Sequence, residues 1–207
     1  EVGLQPHSAN GVQTHRVYIA DALDNGAGFA VELGEPKVLS GVIDFIRNEI
    51  RPSFERAEHI NQCTTSCPRC IRSYENRFDH WALNWRLALD VTDIANGGSP
   101  SMDRWRDRAE QSARAAATAL RPYEFSEVRV GSHADVPVIE LTHSDKRPKQ
   151  AIVVGHPLWS KASKWFDAHQ IEAQTQLSAA GFQKVTFTDP VLLERNPDIL
   201  VKTVMGV

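Results

Sequence analysis

No lysine occurs between Val38 and Asp145, so more than half of this 207-residue chain takes all its positive charge from arginine. Cysteine is absent outside one eight-residue window, 63–70, which holds all three. An odd number of thiols packed that closely makes a poor disulfide framework and argues against an oxidising compartment. No apolar run approaches the length of a membrane span, and no signal-peptide pattern opens the chain. Neither a Gly-x4-Gly-Lys-Ser/Thr phosphate loop nor an Asp-Glu-x-His box is present, so no ATP-driven motor lies in these residues. No histidine is followed two residues later by lysine, which removes His-x-Lys phosphodiester chemistry. Repeats and low-complexity tracts are missing, and a net charge of −3 gives no global attraction to nucleic acid. The chain opens on Glu1 rather than Met, which reads as a fragment or a processed product.

What is present is ordinary globular composition, 42% apolar and 24% charged, with a localised chemistry. Cys63-x3-Cys67-x2-Cys70 has metal-ligand spacing. A CxxC turn sets two sulfurs on one side of a tight loop, and Pro68 stiffens it. Structural zinc takes four tetrahedral ligands, so a fourth is needed. His59 lies four residues before Cys63 and His80 ten after Cys70; a ligand from a partner is a third possibility. A helix ending over 54–61 points His59 at the cysteine loop, which favours it. The bland reading is three free thiols in a reducing cytoplasm.

Seven arginines (Arg47, Arg51, Arg56, Arg69, Arg72, Arg77 and Arg86) flank or enter the cysteine segment. Their forked guanidinium suits phosphate, but Glu49, Glu55, Glu58, Glu75, Asp79 and Asp90 are interleaved and suit internal ion pairs equally well. DNA, single- or double-stranded, would have to be held by a local patch. Arg69 in the CPRC turn, Arg72, Arg77 and a solvent-exposed Tyr74 are expected to form it. Trp81 and Trp85 are alternative stacking residues, with core packing the expectation for Trp85.

The element pattern is α/β. Residues 1–15 read as an incomplete edge or linker, 16–23 as a buried strand, and Asp24-Asn-Gly-Ala-Gly as a strand-to-helix turn rather than a nucleotide loop. Helical spacing over 35–60 starts at Pro36 and should kink at Pro52. Residues 71–76 and 81–94 read as helices, the second largely buried. Asn96-Gly-Gly-Ser-Pro is the expected boundary between a metal-binding region, 1–95, and an α/β region, 101–207. Beyond it come a helix over 102–120 that Ser101 or Asp103 can cap, strands over 124–130, 136–141 and 150–155, a helix over 160–180 closed by Gly181, and a strand over 184–188.

The segments VYIADALDNGAGFA, CTTSCPRCIRSYENRFDHWALNWRLALDV and VVGHPLW together resemble the cysteine-bearing C-terminal region of superfamily-2 DEAD/DEAH-box helicases, a family that includes MrfA-type repair helicases and helicases of bacterial anti-phage systems. The matching positions are Asp21, Gly26, Gly28, the three cysteines, Arg72, Ser73, Tyr74 and Asn76, and the resemblance is specific over 16–95. Repair-type members carry four cysteines where this chain has three. The resemblance implies a non-catalytic, zinc-stapled module of a cytoplasmic, ATP-dependent DNA translocase, with the motor of the parent chain and other subunits as partners.

The element order of the second half is also that of restriction-endonuclease-like cores. Those need an Asp on one strand and Glu-x-Lys on the next to hold Mg²⁺ and position water. Asp135 and Glu140 are the nearest carboxylates, 151–155 carries neither acid nor lysine, and Lys146 and Lys149 fall in a loop. The expectation is a nuclease-like order without a working site, with a displaced Asp135, Glu140 and Lys149 set as the alternative. His156-Pro-Leu-Trp reads as strand-end packing.

Overall fold

The computed structural model describes residues 2–9, 12–21, 26–145, 147–196 and 198–205. They fall into two compact units that divide between Leu83 and Asn84.

In the first unit, β1 (Val2–Ala9) pairs antiparallel with β2 (Val12–Ile19). The sequence reading took residues 1–15 only as an incomplete edge or a linker. Tyr18 and Ile19, expected inside, are about half exposed, because among the described residues no third strand joins the pair. A two-stranded ribbon without a second layer leaves no alternating pattern to read. Residues 22–25, the expected strand end and turn, lie outside the described residues. The turn closes at Gly28, whose φ of 79° is left-handed and suits only glycine readily. The Asp21 carboxylate accepts the amides of Gly28 (3.1 Å) and Ala30 (3.2 Å) at the start of α1 (Phe29–Leu33). An internal carboxylate therefore takes the amides that a nucleotide loop would offer to phosphate.

The helical segment from Pro36 is one rod with a defect. The helix α2 (Pro36–Phe45) runs into a π-helical turn, Ile46–Ile50, and then α3 (Arg51–Phe54). Pro52 causes it: lacking an amide hydrogen and crowding the carbonyl four residues back, it forces the preceding turn to widen. Arg51 N–H accordingly reaches back five residues to the Ile46 carbonyl. The chain breaks at Arg56 and restarts as α4 (Ala57–Gln62). Residues 71–76 form turns instead of a helix. Asn76 accepts the Ser73 amide with Oδ1 and donates to the Ile71 carbonyl with Nδ2, both at 2.8 Å.

The second unit begins with α5 (Trp85–Ala95), capped by Asn84 Oδ1, which accepts the amide of Arg86 at 3.0 Å. That cap keeps Trp81 out of the helix in which it was expected. After a 3₁₀ turn, Met102–Arg104, opened by Ser101, come α6 (Arg106–Leu120), β3 (Phe125–His133), β4 (Val136–His143), β5 (Gln150–Val154), α7 (Ala168–Ala179), β6 (Lys184–Thr188), α8 (Pro190–Arg195) and α9 (Asp198–Met205). The sheet order is β3-β4-β5-β6; the first two pairings are antiparallel and the last parallel. This is the mixed sheet with flanking helices expected for the chain's second half, with α8 and α9 unforeseen. An Asp167–Gln170 capping box starts α7 later than residue 160, and Gly181 (φ 88°) ends it.

The core lies here. The alanine face of α6 packs across β3, β4 and β5, whose Val138, Ile139, Leu141 and 151–154 are buried. Trp105, at 0% exposure, completes it, and Trp85 at the start of α5 is buried as well. The Asp90 carboxylate accepts from Arg104 Nη1 (2.7 Å), Trp105 Nε1 (2.7 Å) and His156 Nε2 (3.0 Å). His156 Nδ1 in turn accepts the Leu158 amide. Every polar atom of this buried knot is matched, and it ties α5 to the end of β5. The compact second unit consequently begins before α5, upstream of the glycine–proline segment at 96–100.

Candidate metal centre

The metal-ligand spacing is realised as a pocket of four donors. His59 Nε2, Cys63 Sγ, Cys67 Sγ and Cys70 Sγ all lie within 4.8 Å of one another and can hold a metal ion. Among the described residues no other His, Cys, Asp and Glu group of three or more does so.

Local structure explains each donor. The break between α3 and α4 swings His59 back under Phe54, where its Nδ1 hydrogen-bonds the Phe54 carbonyl at 2.7 Å and its ring stacks on the phenyl at 5.6 Å. With Nδ1 committed as donor, Nε2 carries the lone pair and faces Cys67 Sγ at 3.6 Å. His59 is 6% exposed. Cys63 ends α4, its amide bonded to the His59 carbonyl at 2.8 Å. Cys67-Pro68-Arg69-Cys70 is a tight turn: the Cys70 amide reaches the Cys67 carbonyl at 3.0 Å, and the Cys67 amide points at Cys70 Sγ at 3.0 Å. Cys63 Sγ and Cys70 Sγ are 3.9 Å apart.

His80 is turned elsewhere. Its Nε2 lies 3.0 Å from both the Ser73 carbonyl and Asn76 Oδ1. The structure brings His59, not His80, to the cysteines.

The thiols differ in acidity. Burial, with the Cys67 and Cys70 thiols beside it, pushes Cys63 up to about 12. Cys67 is pushed up by burial too, but the Arg69 amide, His59 and the other two thiols outweigh this and bring it down to about 6. In this crowded group one sulfur ionises readily while a neighbour resists. A bound cation favours the thiolate at each position.

The expected nucleic-acid residues sit on the same loop and just after it. Arg69 is exposed and donates to Gln62 Oε1. Arg72 is half-buried; its Nε braces the loop through Ser66 Oγ at 2.8 Å. Tyr74 is 75% exposed, and the Arg77 guanidinium stacks over both the Tyr74 and Phe78 rings, at 4.3 and 4.4 Å. Phe78 (76% exposed) did not emerge from the sequence reading, and Trp81 (75% exposed) was expected inside a buried helix. The available signal was Asn84, a helix-capping residue that puts both rings before the helix start.

The alternative nuclease set does not assemble. Asp135 sits at the tip of the β3–β4 hairpin with φ 59°, and Glu140 lies five residues along β4, about 16 Å away in an extended strand. Glu140 pairs with His133 Nε2 at 3.0 Å, and Ala151 stands opposite it on β5. Lys146 lies outside the described residues. Among the described residues no helix is long and apolar enough to cross a membrane. Comparison with family models, curated proteins and solved structures finds no match.

Proposed function

We propose that the chain is a non-catalytic, zinc-stapled DNA-binding module that serves an ATP-driven helicase. The carrying observation is the convergence of His59 with the three cysteines beneath a loop that displays arginine and aromatic side chains. Zinc suits the donor set. Tetrahedral bonds of about 2.3 Å to sulfur and about 2.0–2.1 Å to nitrogen require ligand edges of about 3.8 Å (S–S) and about 3.6 Å (N–S). The Cys63–Cys70 and Cys67–His59 edges are 3.9 and 3.6 Å. With four protein ligands no position is left for water, so the ion's role is to fix the loop.

Tyr74, Phe78 and Trp81 offer stacking faces, and Arg69 and Arg72 offer charge beside them. The helicase context, in repair or phage defence, rests on the resemblance at Asp21, Gly26, Gly28 and the cysteine segment. The test is binding to single- and double-stranded oligonucleotides across a salt series. Loss of Arg69 and Arg72 together (R69A/R72A) should make log affinity against log salt shallower by nearly one unit per phosphate contact on duplex. An unchanged slope, with fold and metal intact, would make both arginines internal braces.

A second reading, a protein-docking module, is favoured by one observation. Phe29, Val31, Leu39, Val42 and Phe45 of α1 and α2 are all exposed. Undetectable DNA binding at low salt beside tight binding to a partner subunit would select it. Nuclease activity is opposed by the scattered acids, so plasmid and single-stranded DNA should survive Mg²⁺ or Mn²⁺.

A further inference from the structure

The four arginines within or directly after α6 divide by what they touch. Arg108 grips Glu194 of α8 with Nε at 2.7 Å and with Nη2, an internal staple. Arg106 lies 3.9 Å from Asp103. Arg114 and Arg121 instead share one helix face, two turns apart. With Arg129 of β3 they line a groove of about 450 Å³ between the second half of α6 and β3, the edge strand of the sheet. Thr118 and Ala117 lie along the groove between the two helix arginines, and Val128 comes from the strand side.

We propose that this groove binds the sugar–phosphate backbone of a nucleic-acid strand, a second contact surface in a different unit from the metal loop; the inference rests on the DNA-binding reading above. Three features select this occupant. All three charged positions are arginine, whose fork takes phosphate oxygens two at a time. Arg121 lies seven residue steps beyond Arg114, a rise of about 10.5 Å. A strand lying along the groove therefore meets a guanidinium at each end. The arginines are also available for exchange. Arg114 pairs with Glu110, and Arg129 with Glu127, in ion pairs whose side chains are all roughly half exposed or more. Such pairs hold weakly against a competing phosphate. Arg121 has no carboxylate partner in any ion pair among the described residues.

The test uses the full, metal-loaded chain and a duplex oligonucleotide, with affinity measured from low to physiological salt. The groove variant R114Q/R121Q/R129Q should lose nearly three units of the slope of log affinity against log salt, at about 0.9 per phosphate. Its metal content should stay that of the wild type. In the opposite direction, E110Q/E127Q, which releases two groove arginines, should bind more tightly and with a steeper slope; a purely structural pairing would not yield this. A folded groove variant with the wild-type slope, beside a weakened R69A/R72A, overturns the groove and leaves the metal loop as the contact. An E110Q/E127Q variant that binds no better than wild type counts against the groove even if the triple variant fails to fold. No binding by wild-type protein at low salt overturns the groove and the DNA-binding reading together.

Discussion

The two units hold themselves together by different means. Among the described residues of the first, the buried apolar side chains are Phe54 and Cys63. The second buries Trp85, Leu89, Trp105, an alanine face of α6 and nearly all of β4 and β5. Domains of this size ordinarily need such a core, and those without one lean on a metal or a disulfide. The first unit has its four donors where its core would be. On the zinc reading proposed above, the cohesion of the first unit comes from an ion and that of the second from packing.

Metal removal should separate the two most sharply. Structural zinc contributes about 10–16 kcal/mol in zinc-finger peptides, far more than any side chain in either unit. Cys67→Ser should abolish stoichiometric zinc and expose residues 55–80 to hydrogen exchange, while protection of α6 and β4 persists. Loss of protection in both units alike would dissolve the contrast.

The converse perturbation is Asp90→Ala. It strips the shared acceptor from Arg104, Trp105 and His156, and breaking a buried charge network of this kind costs about 3–5 kcal/mol. Thermal unfolding of the second unit should shift down with the zinc content unchanged. Acid should act through the same carboxylate. Burial alone would raise its pKa, but the donors from His156, Trp105 and Arg104 outweigh burial and hold it below the usual carboxylate value. The folded value therefore lies under the unfolded one of about 3.9. The carboxylate's contribution is present above about pH 4 and is lost as pH falls through the folded value. A pH–stability curve for Asp90→Asn should be flatter than wild type below pH 4 by this one group's share.

A smaller effect, read as zinc affinity, separates the two histidines. His59→Ala should weaken zinc binding at least about 100-fold, beyond the 10–100-fold typical of groups that only orient a ligand. His80→Ala should leave it within a few-fold, as its ring holds Ser73 and Asn76. Zinc release by His80→Ala alone would mean that the fourth ligand is misassigned.

The second unit was the more legible from sequence. Its strands are bounded by turns and fill a buried sheet, so apolar runs such as AIVVG mark them directly. What escaped there, α8 and α9, are short helices whose apolar faces are too brief to set a period. In the first unit, cysteine spacing marked the donor cluster because ligand spacing is local. The exposed Tyr74 was expected, but the hairpin and the exposed Phe78 and Trp81 did not follow, because periodicity reports burial and little of this unit is buried. Trp81 is the instructive case: the density of apolar residues over 81–94 put it in a largely buried helix, with base stacking as the alternative, when Asn84 had already started the helix after it.

The central claim is that an ion on His59, Cys63, Cys67 and Cys70 holds the first unit. Its most direct test is hydrogen exchange over residues 55–80, measured on protein purified without chelator and again after metal removal, with elemental analysis of both samples. The account predicts one zinc per chain before removal, and loss of protection over 55–80 with α6 and β4 unmoved after it. Unchanged protection over 55–80 in protein shown to be metal-free would contradict it.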